Sequence, residues 1–186
     1  MKLNEPYLII NLNDSKIVFF VISYEENKNY KIIKNINIDA RGIQEGRIVD
    51  IELVTELIKK TINSIEDEIS HSFSEASVVI NPNNVNCLNV SGYKKLNGSQ
   101  VSKEDITYIL NDIKKTISLN EEKDSLVHLF NSNFSLDSDN LENLPIGLFG
   151  EFYNQNMTFF LVKKNILKNI KLVFNNCGIN IDRIIL

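Results

Sequence analysis

Histidines, cysteines and clustered carboxylates are the raw material of most catalytic and metal sites, and in this chain they do not fall at working distances in the sequence. His71 and His128 are the only histidines. Neither has a cysteine or carboxylate at ligand spacing, so no zinc site is expected. His128 sits in a strand-like segment and reads as a packed residue with one ring nitrogen hydrogen-bonded. Cys87 and Cys177 are the only cysteines. A pair of cysteines without a secretory leader reads as reduced cytosolic thiols. Cys177 has the spacing of a core position, and no base accompanies it as a nucleophile would require. The acidic runs Glu66 to Glu68 and Glu121-Glu122 read as solvated faces. No catalytic centre is specified.

Two glycine-containing segments are more informative. In Gly42-Ile43-Gln44-Glu45-Gly46-Arg47-Ile48-Val49-Asp50, the glycines suit a chain that turns twice with no Cβ in the way. Asp50 then offers its carboxylate to the unpaired amides of a following helix. In Leu144-Pro145-Ile146-Gly147-Leu148-Phe149-Gly150-Glu151, the glycines bracket Leu148 and Phe149. That pair is either an exposed apolar tip that docks a partner or, the reading favoured by the usual inward packing of apolar loop residues, a plug for which Phe149 fills a small core.

The elements that must position these segments follow from periodicity. Tyr7 to Asn11, Lys16 to Ser23 and Tyr30 to Ile38 read as an antiparallel meander, separated by the polar clusters Asn13-Asp14 and Glu25 to Asn29. Ile51, Val54, Leu57, Ile58, Ile62, Ile65 and Ile69 place one apolar stripe on a helix of about five turns. Ala76 to Ile80 reads as a buried parallel strand. At Asn81-Pro82-Asn83-Asn84 the pattern breaks and a more polar lobe begins. Within it, Val85 to Ser91 reads as a strand, and Ser102 with Asp105 resembles a capping box ahead of a stripe from Ile106 to Ile117. Leu126 to Phe130 with Asn133 to Leu136 reads as a strand pair or one bent strand, and Met157 to Val162 as another strand. A third helix, Ile166 to Cys177, ends at Gly178, which suits a left-handed cap. Ile179 to Ile185 closes as a strand. Right-handed crossovers then require the strands at Ile80 and Ile184 to lie parallel to the first.

With 186 residues and 43% apolar content, the chain accommodates one core plus an inserted lobe and is too short for a two-domain ATPase. A formal charge of −4 and pI near 5.3 give no basic excess, so neither nucleic acid nor an anionic membrane surface is expected as a partner. No signal peptide, transmembrane span or terminal amphipathic helix is expected.

Read in order, these pieces resemble the first domain of FtsA, the actin-like bacterial cell-division family. The likeness rests on Gly42 to Asp50, on Leu126-Val127-His128-Leu129-Phe130 with Phe134-Ser135-Leu136-Asp137, on Leu144 to Glu151, and on Asn169 to Phe174 followed by Cys177 to Asp182. PilM, of the type IV pilus, is a sister family with a similar plan. The resemblance implies an α/β chain, half of an actin-like (ribonuclease H-like) ATPase fold, with a five-stranded mixed sheet and an inserted α+β SHS2-type subdomain. Residues 1–82 and 164–186 would form the actin-like part and 83–163 the insert.

The resemblance also implies where a nucleotide would be held. The family's phosphate hairpin corresponds to Asn11-Leu12-Asn13-Asp14-Ser15-Lys16. Here Asn11 stands in place of an aspartate, Asn13 of a glycine and Asp14 of a small hydroxyl residue. Asp14 brings negative charge towards a phosphate, whereas Asn13 tolerates positive φ and so keeps the turn. A plain hairpin turn is therefore the favoured reading. No cofactor is expected in this chain, and ATP with Mg²⁺ belongs only to a longer parent. The expected role is a non-enzymatic scaffold at the cytoplasmic membrane face, with self-association and FtsN-like division proteins as partners through the insert. FtsZ and the membrane would be reached only through parts absent from this sequence. The front half of a nucleotide switch and a PilM-like pilus protein are the alternatives. Gly42, Gly46, Asp50, Gly147, Gly150 and Gly178 are expected to be structural.

Overall fold

The structure, a computed structural model, describes residues 5–25, 29–83 and 85–186. The segment Met1 to Asn4, the middle of the turn expected at Glu25 to Asn29, and Asn84 lie outside the described residues. The chain forms two compact units, one of residues up to 84 together with Lys164–Leu186, the other of Val85–Lys163.

The first unit begins with β1 (Tyr7–Leu12), β2 (Lys16–Tyr24) and β3 (Tyr30–Asp39), paired antiparallel in sequence. Alternate residues Leu8, Ile10 and Leu12 of β1 and Ile17, Phe19 and Val21 of β2 are buried, and they face one another across the ladder, so a single face of the meander carries the core. A two-residue hairpin, β4 (Ile43–Gln44) and β5 (Arg47–Ile48), leads into α1 (Ile51–Ile69). The sequence suggested only a loop here. Glu45 and Gly46, the two central residues of the hairpin, both have positive φ, 50° and 66°, which is the backbone of the tight turn that matches strand twist.

Helix α1 buries Val54, Ile58, Ile62 and Ile65, each contributing about 1.5–3 kcal/mol. Asp50 caps it, its Oδ1 accepting from the Leu53 amide at 3.0 Å, and Ser70 ends it in a left-handed conformation. The chain then enters β6 (Glu75–Ile80), parallel to β1. After the second unit it returns as α3 (Lys164–Asn176) and β11 (Asn180–Ile185), β11 lying parallel to β6. Gly178 has φ +77°, and the Ile179 amide reaches back to the Phe174 carbonyl at 3.0 Å, closing α3 with a left-handed cap. The sheet order β11-β6-β1-β2-β3 is the five-stranded mixed sheet that the resemblance implies, with β6 and β11 parallel to β1 as the crossovers require.

In the second unit, β7 (Asn86–Lys95), α2 (Lys103–Asn120), β8 (Asp124–Leu136), β9 (Asp139–Leu141) and β10 (Phe152–Lys163) form a sheet ordered β7-β10-β8-β9. Of the strand pair or one bent strand expected between Leu126 and Leu136, the second is found, one strand whose register against β10 shifts at two points. Strand β7 runs four residues beyond the expected Ser91 because Gly92 lets α2 lie against it: a Cβ there would meet Ile109 Cγ2 at 2.3 Å and Ile113 Cδ1 at 2.8 Å. The capping box of α2 is complete, with Ser102 Oγ accepting from the Asp105 amide and the Asp105 carboxylate accepting from the Ser102 amide. Its core gathers Ile109, Ile113, Tyr153, Met157, Phe159 and Leu161. Buried Gln155 is satisfied, donating from Nε2 to Asn131 Oδ1 at 2.8 Å and accepting at Oε1 from the Tyr153 hydroxyl at 3.2 Å.

Two measurements check this packing. Gly42 has φ +80° and a Cβ there would lie 3.0 Å from Asp50 Cβ and Val54 Cγ2; at Gly46, φ +66°, it would lie 2.4 Å from the Asn81 carbonyl oxygen. Gly42→Val is expected to cost about 1–3 kcal/mol in urea unfolding and Gly46→Ala at least as much, since backbone cannot yield as a side chain can. Gly147, φ +89° with open space around it, should lose only about 1 kcal/mol as Ala. Burial also pushes the Tyr153 phenol up to about 12. The folded state favours the neutral phenol, so this contribution is intact below the ordinary tyrosine pKa near 10 and vanishes as pH rises from about 10 to 12. Unfolding free energy measured across that window should fall more steeply for the wild type than for Tyr153→Phe.

Candidate functional site

The hairpin and the glycine run meet in the first unit. At the β1–β2 turn the Asn13 amide donates to the Lys16 carbonyl at 3.1 Å, and Ser15 O accepts from the Ala40 amide at 3.0 Å. Asn13 does not adopt positive φ, so the turn needs no left-handed residue there, and the tolerance expected of Asn13 is not called upon. Asp14 Oδ1 accepts the Gly46 N–H at 2.7 Å. Asn11 Oδ1 is buried with no hydrogen-bond partner among the described residues. Lys16 is exposed at the start of β2. Phosphate oxygens need donors, yet Asn11 and Asp14 contribute acceptors, and the Gly46 donor is engaged. Asn11 Nδ2, the Ser15 hydroxyl and the exposed Lys16 ammonium are the donors the hairpin offers, beside the Asp14 carboxylate.

Gly42 and Asp50 stand behind the same turn: the amides of Val49 and Asp50 both donate to the Gly42 carbonyl, at 2.8 and 3.2 Å. Sequence reasoning brought out Gly42, Gly46 and Asp50 as one structural group and the hairpin as another. The Asp14 carboxylate joins them, a link no periodicity announces.

Other titratable groups of the described residues lie apart in the two units. The Tyr7 hydroxyl bonds Ser77 Oγ and donates to Asp182 Oδ2, each at 2.8 Å, and burial, with Asp182 beside it, raises its pKa. Cys177 is half-buried, its Sγ 3.6 Å from the Thr55 carbonyl, and burial raises its thiol pKa. Both cysteines are free thiols. His71 follows α1 with its ring edge-on to Phe73, and His128 stands beside Phe130 in β8. Among the described residues no group of three or more His, Cys, Asp or Glu could hold a metal.

The second unit carries the other predicted segment. Residues 96–101 and 144–151 zip together: the amides of Leu96, Gly98 and Val101 donate to the carbonyls of Glu151, Gly150 and Leu148, and those of Gly147 and Gly150 donate back to Val101 and Ser99. Asp137, with φ 55°, accepts at Oδ1 from the amides of Glu151 and Phe152, both at 2.8 Å. Gly150 allows this approach, since a Cβ there would meet Leu136 Cδ1 at 2.5 Å and Asp137 Oδ2 at 3.3 Å. The side chains on this fixed loop point outward: Leu148 is 51% and Phe149 70% exposed, with Leu144 and Ile146 also exposed. The favoured reading of Phe149 as a plug is thus overturned. Pro145 is the buried residue of the loop, because the backbone zipper already fixes which way Leu148 and Phe149 face. Asp137 was missed as a positioning residue, although an aspartate just past a strand is a ready left-handed turn former.

No family model matches the chain. It is 26% identical over 176 residues, 95% of its length, to the cell division protein FtsA of Buchnera aphidicola subsp. Schizaphis graminum, of which it spans 42%. It is 20% identical over 146 residues to FtsA of Escherichia coli K12, covering 78% of this chain and 34% of that protein. The chain therefore spans less than half the length of these curated relatives. The solved PilM-PilN type IV pilus biogenesis complex matches with a TM-score of 0.64 over 98% of this chain and 48% of that one, at 9% identity. Such a likeness establishes fold rather than role. The resemblance to FtsA stands, and the chain has an α/β fold, half of an actin-like, ribonuclease H-like architecture.

Replacing Asp14 by Ala should release the Gly46 amide. The expected loss is about 0.5–1.5 kcal/mol in unfolding free energy, with faster hydrogen exchange at Gly46. An unchanged exchange rate would show that the carboxylate does not hold the turn.

Proposed function

We propose that this chain acts as a non-catalytic interaction module of an FtsA-like cell-division protein. The single observation that carries the reading is the exposed apolar tip of the second unit, held by backbone hydrogen bonds and by Asp137 so that Leu148 and Phe149 face solvent. A loop free to collapse would bury such side chains; one pinned open is prepared for a partner. In this reading the second unit, Val85–Lys163, with the SHS2-type role, meets the cytoplasmic tail of an FtsN-like division protein and neighbouring copies of the same protein. Contacts with FtsZ and with the membrane belong to other parts of a longer parent. The place of work is the cytoplasmic face of the cell membrane at the division site. Among the described residues no helix is long and apolar enough to cross a membrane.

The hairpin from Asn11 to Lys16 serves in this reading as a structural turn. The docking role as proposed calls on neither ATP nor Mg²⁺; what supports the structural reading of the turn is the bond from the Gly46 amide to Asp14 Oδ1. Support for the division role comes from the likeness to FtsA along nearly the whole chain.

A binding titration against two synthetic peptides tests the proposal. One is the cytoplasmic tail of an FtsN-class protein from the same source, the other the tail of a pilus inner-membrane protein. The division peptide is expected to bind, and Leu148→Asp with Phe149→Asp should weaken it by about tenfold or more with the unfolding midpoint unchanged. Preference for the pilus peptide, or indifference to the tip substitutions, would overturn the reading.

A further inference from the structure

We infer that the groove between β7 and α2 is a second docking site, which takes an extended, basic segment of a partner protein as an added strand along the free edge of β7. The proposal rests on reading the second unit as an interaction module, but it concerns a surface other than the tip.

The edge itself is the first argument. Strand β7 is terminal in its sheet, and among the described residues it pairs only with β10. Edge strands present unpaired amides and carbonyls, and proteins protect them with charge or by keeping them short. The other terminal strands follow that rule, although β9 pairs only with Phe134 to Leu136 and leaves the uncharged stretch Ser125 to Asn133 of β8 uncovered. Strand β3 carries Lys31, Lys34 and Asp39, β11 carries Asp182 and Arg183, and β9 is only three residues long and contains Asp139. In β7, by contrast, the run Asn86-Cys87-Leu88-Asn89-Val90-Ser91-Gly92-Tyr93 has no charge at all before Lys94. An edge of that length without a guard is suited to being covered by another strand.

The groove alongside is the second argument. Leu88, Val90, Gly92, Ile113, Thr116 and Ile117 line a cavity of about 380 Å³. Ser91 and Tyr93 border it as well, though they lie on the opposite face by the strand's alternation and Ser91 Oγ bonds Asn156 there. Both parities of β7 can share one wall only where the wall is the strand's edge. An added strand would pair with that edge and turn every second side chain in between β7 and α2. Gly92 keeps the helix close to the strand beneath, so the incoming side chains meet Ile113 and Ile117 rather than a gap.

Charge selects the occupant. The remaining lining includes Asp112 and Glu121, and no Lys or Arg. The carboxyl end of α2 opens at the same place, with no basic residue in its last turn, which adds partial negative charge. An acidic rim around an apolar floor fits a segment with alternating apolar side chains flanked by Lys or Arg, and disfavours an acidic one.

The test pans a phage-displayed library of random dodecapeptides against the whole chain, then measures the enriched peptides as synthetic material. Expected are peptides with apolar alternation and basic residues, whose binding slows hydrogen exchange along β7 and falls about tenfold or more in Asp112→Lys with Glu121→Lys. Those two side chains lie at the surface of α2 and its cap, and retained unfolding midpoints would exclude misfolding. Thr116→Trp, which fills the groove without altering charge, should abolish the same binding. The proposal fails if no peptide is enriched, if β7 exchange is unchanged, or if the groove variants bind as well as the wild type. Peptides lost only in Phe149→Asp would assign binding to the tip, leaving the docking role intact while overturning the groove.

Discussion

The rest of the first unit depends on one close approach of backbone to backbone. At Gly46 the β4–β5 turn passes so near Asn81 and Pro82 that an added Cβ would sit 2.4 Å from backbone atoms of both. Nothing but glycine meets that distance, and the adjacent turn residue Glu45 takes a positive φ to keep the hairpin narrow. Three things then become possible at one end of the sheet. The Gly46 amide turns towards Asp14, Asp50 reaches the first turn of α1, and the chain leaves β6 at a fixed point to begin the second unit. A looser turn would leave α1 without its cap and the stripe from Val54 to Ile65 without a set register on the sheet.

The second unit solves a comparable problem with the opposite result. Asp137 again takes positive φ and again offers a carboxylate to backbone amides, those of Glu151 and Phe152, and Gly150 again removes a Cβ from the approach. Near Gly46 the gain is burial and closure. At Gly150 the same economy of atoms fixes a loop whose side chains stay in water. Hydrogen bonds along 96–101 and 147–151 satisfy the backbone, so no polar cost forces the loop to rearrange, and Leu148 and Phe149 remain outside because the paired backbone leaves them no inward direction.

Much of this was legible in residue patterns. The stripe of α1, the capping box at Ser102, the glycine stop after α3 and the parallel return of β6 and β11 all rest on local rules that tertiary context had no reason to override. What was hidden depends on partners distant in sequence. Asn13 looked like a substitute for a left-handed glycine, but the Asn13 amide bond to Lys16 closes a turn that does not need one. The hairpin residue Asp14 looked only like unwelcome charge until a donor thirty-two positions away was found beside it. Phe149 looked like a plug because apolarity reports preference for burial and says nothing about which way a paired backbone points. Strand β8 could be read as a pair or as one bent strand because its register shifts against β10 interrupt the alternation by which a strand is recognised.

The two units also differ in how they treat exposed polar backbone, and that difference bears on role. In the first unit both sheet edges carry charges, Lys31 and Lys34 on one side and Asp182 and Arg183 on the other, a common protection of an edge strand. In the second, β9 covers only Phe134 to Leu136 of β8, and both the rest of β8 after Asp124 and β7 up to Lys94 are uncharged. Placing polar but uncharged Asn89 and Ser91 on the outer face, each bonded across the sheet to Thr158 or Asn156, keeps the strand flat and soluble without guarding its edge. A sequence selected only for a stable fold has little reason to leave that edge open, because Lys at an outward position of β7 would protect it at almost no cost in packing. On the reading proposed above, the uncharged edge of β7 and the pinned apolar tip lie on the same unit, so both surfaces offered for docking belong to the second unit.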